Sequence, residues 1–442
     1  MTPPRGDKLR IAYLAAGAGG MYCGSCLHDN TLAAALLKRG HEVALLPTYT
    51  PLRTDETSVA SSRVFYGALN VYLEQKSHAF RHTPRWLHWL LDRPRLLRWL
   101  ATRFAGSTDA RELGALTLSV LRGEEGPQAG ELARLVGWLR DDYRPDLVHI
   151  TNSLLLGLVR RLKRELGGPV VVQLQGEDLF LDALPNREEV IEEMRRRARD
   201  VDLFVAPSRF YADKMTALLD VPAERVAVVP LGIRLEGYGT RAGRDPQAPP
   251  AIGYLARVAP EKGLHLLAEA FAALAVRPGN ERLRLRVAGW LGAKDRAYFR
   301  EIEQGLAARG LGDRFDHVGE VDLAGKLEFL RSIDLLSVPT TYEEPKGLFA
   351  LEAMASGCPV VLPRHGSFPE MLAATGGGLL VEPNDLADLS EALARLLADP
   401  EERRRLAADG HRAVHARFGA AGMAEATEGV YRRVLAGRRH AG

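Results

Sequence analysis

The chain has 442 residues, 46% apolar and 26% charged, which at roughly 150 residues per domain is enough for two or three domains with their own cores. That composition excludes a small single module, a disordered chain and a fibrous one. Its 59 basic and 56 acidic residues leave a net charge of +3, too close to balance for a protein whose whole surface binds nucleic acid.

Nine of the basic residues are Lys and fifty are Arg, so no single Arg cluster carries much information. Three cysteines, Cys23, Cys26 and Cys358, cannot build a disulfide framework, and the N-terminus lacks the apolar stretch of a signal peptide. A cytoplasmic protein is expected. No apolar run reaches the 18 or so residues that span a bilayer.

In chain order, an apolar run over residues 9–14 predicts a strand, the glycine-rich AAGAGGMYCGS a loop, and the amphipathic stretch 31–39 a helix closed by Gly40. Further apolar runs follow at 42–47, 146–150, 169–174, 202–207 and 225–230. Continuous rather than alternating strands imply a parallel sheet covered on both faces. Residues 51–145 interrupt this series with helical material and read as an insertion. Within it, residues Arg81 to Phe104 hold six Arg, one Asp and three of the five Trp. That is the makeup of a helix lying peripherally in a membrane interface; packing of Trp86, Trp89 and Trp99 in a core or acceptor pocket is the alternative.

After Pro230 a Gly- and Pro-rich segment reads as a linker. A second strand-helix series starts at AIGYLA and continues through RLRVAG, RFDHVG, DLLSVP, CPVVLP and GGLLVE; from Pro400 onward the pattern is helical. The expected fold class is α/β, with two doubly wound Rossmann-like domains facing each other across a cleft. The boundaries are 1–236 for the first domain, 237–250 for the linker, 251–414 for the second domain, and 415–442 for a helix crossing back to the first. Ligands of such sheets bind beyond the carboxyl ends of the strands, so the loops there should carry the chemistry.

The densest constellation is TYEEPKGLFALEAMASG. A helix beginning near Gly347 offers the amides of Gly347, Leu348 and Phe349 to phosphate or sugar oxygens. Glu352, over one turn in, tilts back towards that end and suits a ribose diol. Glu344 in the preceding loop can hold sugar hydroxyls or stabilise charge at a sugar carbon. The bland readings are a solvated Glu344 and a surface ion pair for Glu352. In RVAPEKG, Arg257 and Lys262 follow the second domain's first strand, where two cations can grip a pyrophosphate without a metal.

RVAPEKG and EPKGLFALEAMASG resemble the signatures of retaining family 4 glycosyltransferases of the two-domain GT-B fold. RGHEV, VDLFVAPS and VPLGI in the first half agree. The resemblance implies a sugar transferase working with retention, metal-independent, with no cofactor and a nucleotide-diphosphate sugar as co-substrate. The acceptor would be a glycan, a lipid or a small molecule, and nucleic acid is not a partner. It assigns Arg257 and Lys262 to the diphosphate and Glu352 to the ribose. Glu344 with the amides of Gly347 to Phe349 would hold the sugar. Lys346 stands where the family usually has Phe; it either alters donor-sugar choice or points to solvent.

The first domain departs more. Where the family often has His and then an acidic residue, this chain has Gln175, Gly176, Glu177 and Asp178. Gln175 cannot transfer protons but can hold a sugar hydroxyl. Asp178 is a candidate catalytic contact to acceptor or sugar, or else a helix N-cap, and Glu177 and His28 are further candidate contacts. Gly19 and Gly20 let backbone approach the donor. Cys23-x-x-Cys26 with His28 lacks a fourth ligand for a zinc site, and Asp200-Val-Asp202 is read as structural. Two other functions remain open: a phosphorylase or sugar-phosphate synthase on the same fold, and a nucleotide-sugar-binding regulator without catalysis.

Overall fold

The structure is a computed structural model; it describes residues 8–17, 24–61, 110–239 and 247–439. Among these residues the chain forms two compact units, one of Met1–Gly232 with Ala420–Gly442 and one of Ile233–Gly419. It therefore passes from first to second at Gly232, before the expected boundary at 236, and returns at Gly419. The segment expected as linker begins inside the second unit. A Cβ on Gly237 would stand 2.8 Å from Leu327, and the Tyr238 ring is buried.

The first unit holds strands β1 (Arg10–Ala15), β2 (Glu42–Pro47), β3 (Leu147–Ile150), β4 (Val170–Gln173), β5 (Leu203–Ala206) and β6 (Val226–Val228). All neighbours are parallel, in the order β2-β1-β3-β4-β5-β6. β3, β4 and β5 are buried along their whole length, because helices cover both faces. These are α1 (Gly24–Lys38), α2 (Ala110–Arg122), α3 (Ala129–Trp138), α4 (Val159–Leu166), α5 (Asp178–Asp182), α6 (Arg187–Ala198) and α7 (Arg209–Leu219). α1 starts seven residues ahead of the expected 31, because Cys26, His28, Asp29 and Asn30 are buried here and hide its apolar period.

The second unit repeats the plan with β7 (Ala251–Leu255), β8 (Arg284–Ala288), β9 (Phe315–Gly319), β10 (Leu335–Ser337), β11 (Val360–Pro363) and β12 (Gly378–Val381). The order is β12-β11-β10-β7-β8-β9, again all parallel. Its helices are α8 (Leu264–Ala275), α9 (Arg296–Ala308), α10 (Leu323–Ser332), α11 (Leu348–Ala355), α12 (Phe368–Thr375), α13 (Leu386–Ala398) and α14 (Pro400–Arg417). The last helix, α15 (Ala420–Arg439), packs on α1 in the first unit. Met423, Ala424 and Tyr431 join Leu32 and Leu36 in one core there. The expected crossing helix thus starts at 420, and α14 stays on α11 and α12.

In both sheets the strand order reverses beside the first strand, between β1 and β3 and between β7 and β10. The loops leaving those strands part there and open a crevice. In the second unit they are stitched together, with the Thr341 amide donating to the Glu261 carbonyl at 3.0 Å. Gly263 sits at φ +73°, and a Cβ on it would fall 1.8 Å from the Pro339 carbonyl oxygen. Gly263→Ala should therefore destabilise the second unit by at least the roughly 1–3 kcal/mol of a forced left-handed residue. Denaturant melts of wild type and variant check this; an unchanged midpoint would contradict the close approach.

Candidate functional site

The loops after β7 and β10 bring Lys262 and Glu344 together. Lys262 Nζ lies 2.5 Å from Glu344 Oε2 and 2.6 Å from the Tyr342 hydroxyl, which itself donates to the same Oε2 at 2.5 Å. The ammonium stands 4.9 Å from the Tyr342 ring centroid and 5.9 Å from that of Phe349, so it sits in an aromatic corner that favours a cation. The other oxygen, Oε1, accepts from the Lys346 and Gly347 amides, both at 3.3 Å. Glu344 is only 5% exposed, so it is not the solvated loop residue of the bland reading.

Burial alone would push the Glu344 carboxyl up; the Lys262 charge, the bonds from Lys262 and Tyr342 and the charge of Lys346 outweigh it and hold the group at about 2. Burial and the Glu344 charge push the Tyr342 hydroxyl well above its ordinary range, so it stays a donor. Arg257 is ion-paired with Glu261 on its own loop. Gly347, at φ +68°, is the N-cap of α11. Its amide serves Glu344, so of the three amides expected to face a ligand, those of Leu348 and Phe349 are the first of the helix, where geometry supplies no intrahelical acceptor.

Glu352 on α11 is 6% exposed and meets Lys326 of α10, itself 5% exposed, at 2.5 Å. The Tyr238 hydroxyl reaches the same Oε1 at 3.3 Å. The ion pair is therefore buried, not superficial. Lys346 is likewise buried, which removes the reading that it points to solvent.

In the first unit the candidates gather in two groups. Asp29 of α1 is 1% exposed and accepts from Tyr13 at 2.8 Å, from Thr151 at 2.5 Å and from the Gln175 amide nitrogen at 2.7 Å. That nitrogen also donates to the Thr151 carbonyl at 3.0 Å. His28 Nδ1 lies 3.4 Å from Asp29. Beneath them His149 stacks on Tyr13 at 4.3 Å, and burial holds its imidazole down at about 3, hence neutral. The second group surrounds the Tyr211 hydroxyl, which accepts from the Gly176 and Glu177 amides at 2.9 and 2.8 Å.

That hydroxyl has Glu177 at 2.9 Å and Asp178 at 3.1 Å as acceptors for its single proton. Glu177 also takes the Ser153 and Gln175 backbone amides, both at 2.8 Å. It ties the loop after β4 to the loop after β3. Asp178 pairs with Lys214 at 2.7 Å and makes no helix cap: α5 has no side-chain cap bond, and Glu177 holds the N-cap position. Asp202 accepts from the Val170 amide at 2.8 Å and pairs with Lys163 at 3.0 Å. Gly19, Gly20 and Cys23 lie outside the described residues, as does the segment Arg81 to Phe104 with its three Trp. Among the described residues no group of three or more His, Cys, Asp or Glu side chains is placed to hold a metal ion, and no helix is long and apolar enough to cross a membrane.

The family described as glycosyl transferases group 1 matches residues 241–412, and the glycosyl transferase 4-like domain matches residues 30–232. A D-inositol 3-phosphate glycosyltransferase of Catenulispora acidiphila is 30% identical over 347 residues, 73% of this chain and 76% of that protein. The chain belongs to the family 4 glycosyltransferases. A glycogen synthase of Mycobacterium tuberculosis is 27% identical over 93% of this chain and 91% of its own. In fold, this glycosyltransferase resembles sucrose-phosphate synthase from Thermosynechococcus elongatus, with a TM-score of 0.72 at 20% identity over 97% of this chain and all of that one. Anabaena HepE, solved with UDP, gives 0.67 at 18% identity over 96% of this chain and all of its own. The two Rossmann-like sheets are those of the GT-B fold, and the protein is an enzyme that transfers sugars.

Sequence reasoning missed Lys326, Asp29, Tyr342 and Tyr211. Two of them carried a signal: Lys326 shares a helix face with Phe329 and Leu330, and Asp29 shares one with Leu32, Ala33 and Leu36, all buried. A charge inside an apolar stripe is a buried charge.

Glu344 also sets a pH dependence. Unfolded, its carboxyl titrates near 4.5; folded, at about 2. The unfolded chain therefore takes the proton first, and the stabilisation is complete above pH about 4.5 and lost as pH falls towards 2. Melts between pH 5 and 2.5 should fall more steeply for wild type than for Glu344→Gln, and parallel curves would contradict the assignment.

Proposed function

We propose that the second unit binds a nucleotide-diphosphate sugar and that the enzyme transfers the sugar to an acceptor hydroxyl with retention at the anomeric carbon. The observation that carries this reading is the pair of Lys262 with the buried Glu344 at the crevice between β7 and β10. It places a fixed cation and a fixed carboxylate beside the first amides of α11. Arg257, Lys262 and the Leu348 and Phe349 amides take the diphosphate, Glu352 the ribose, and Glu344 the sugar hydroxyls. HepE, of the same fold, was solved with UDP-glucose, which makes uridine nucleotides the first donors to try.

The transfer proceeds by front-face substitution. The bond from the anomeric carbon to the diphosphate oxygen breaks, a bond to the acceptor oxygen forms on the same face, and the acceptor's proton passes to the leaving diphosphate. The negative charge that builds on the leaving group is met by cations and helix amides already in place, so no metal ion is required. On the first unit, the Gln175 and Asp178 groups are the places for acceptor or sugar contacts. The acceptor is a glycan, a lipid or a small molecule.

Screening UDP, GDP and ADP by thermal shift identifies the nucleotide, since a ligand of the folded state raises the melting temperature. With that donor, Lys262→Ala should lose turnover by at least about a hundredfold, and wild-type turnover should survive a chelator. Near-native turnover in the variant, or abolition by chelator, would overturn the donor-site reading. Products formed from free phosphate would favour a phosphorylase instead.

A further inference from the structure

The two carboxylates eight residues apart are each met by a lysine, half-buried at Lys262 and buried at Lys326. Lys262 comes from the loop expected to bind diphosphate, whereas Lys326 comes from the helix α10 and lies on its buried face beside Phe329 and Leu330. A methionine or leucine would fill that face at no electrostatic cost. Taking an ammonium and a carboxylate out of water together is often no more stabilising than an apolar pair, so packing alone does not account for Lys326. The pair is short, 2.5 Å, and Tyr238 adds a second donor to the same oxygen at 3.3 Å. Two donors arriving from different segments fix the carboxylate's rotamer before any ligand arrives. Held this way, the carboxylate is set to act as an acceptor of hydrogen bonds.

Taking the donor site proposed above as its basis, we infer that Lys326 is a positioning residue of the nucleotide seat. It holds Glu352 as an oriented anion that accepts from ribose hydroxyls, so the enzyme selects a ribonucleoside diphosphate over the deoxy form. A pocket built to bond a hydroxyl rejects the analogue that lacks it, because the pocket's own polar group is left unpaired. Lys326 acts through Glu352 before the chemistry begins. Its loss weakens donor binding while the transfer step, driven by the Lys262 end, continues.

The test compares wild type, Lys326→Met and Lys326→Arg. UDP, GDP and ADP are titrated by calorimetry, each beside its 2′-deoxy form, and KM and kcat are measured with the sugar conjugate of the nucleotide that binds. Wild type should prefer the ribonucleotide by about tenfold or more, the scale of one hydrogen bond to a charged group. Lys326→Met should raise the donor KM about tenfold with kcat within about twofold, and bring the ribo-to-deoxy ratio towards one; Lys326→Arg should restore both.

An unchanged KM and ratio in the Met variant, or an Arg variant that folds yet behaves like Met, would overturn the inference. Should the Met variant not fold, the wild-type and Arg ratios decide, and a wild-type ratio near one overturns it. If wild type binds none of the three nucleotides, the donor-site reading itself fails and this one with it; if wild type binds and only the ratio fails, the donor site stands.

Discussion

The loops at the strand ends of the second unit depend on one ion pair closed across a gap in strand order. β7 and β10 are neighbours in the sheet but far apart in sequence, and the loops that leave them would diverge were they not joined. Lys262 and Glu344 join them at the side chains, and Thr341 and Glu261 at the backbone. The carboxylate is tolerable in a buried place because both of its oxygens meet donors. Glu344 takes an ammonium and a phenol on one oxygen and two amides on the other. Removing one partner would leave the other as an uncompensated buried charge, which is far more costly than the pair is stabilising.

The same logic shapes the rest of the polar interior. Among the described residues, two carboxylates of the first unit are each held by several donors beyond the ends of its strands. Asp29 collects a phenol, a hydroxyl and an amide, and Glu177 collects a phenol, a hydroxyl and two amides. The groups lie after β1, β3 and β4, where the first sheet also reverses its order. A carboxylate held by several donors is rigid, and rigidity is what lets a side chain beside it meet a ligand in one orientation. Gln175 is the case in point. Its side-chain amide hydrogens are directed at Asp29 and Thr151, which fix the plane of the amide.

Much of the fold was legible because central strands of a parallel sheet are apolar without interruption. β3, β4, β5, β10 and β11 were each bracketed by an expected run within a residue or two, and β2 matched its run from end to end. The loops after β7 and β10 could be singled out because Arg257, Lys262, Glu344 and Glu352 occur together in an order that single residues would not reveal. The start of α1 was not legible, since its first turns are polar by residue type and buried only through the Asp29 network. Lys326 escaped for a related reason. A lysine is read as exposed unless its partner is known, and the partner is set by tertiary structure. The shift of the first boundary to Gly232 follows from Tyr238 and Gly237, small and aromatic residues of a turn-rich segment that pack within the second unit.

The proposed activity requires that a nucleotide sugar rest in the second unit. Crystals grown with the nucleotide found by the screen, in the presence of a chelator, test that position directly. The diphosphate should lie against Lys262 and Arg257 at the first amides of α11, with the ribose on Glu352 and Lys326 still on the far side of that carboxylate. A nucleotide bound at another place on the chain, or one that appears only when a divalent ion is supplied, would contradict it.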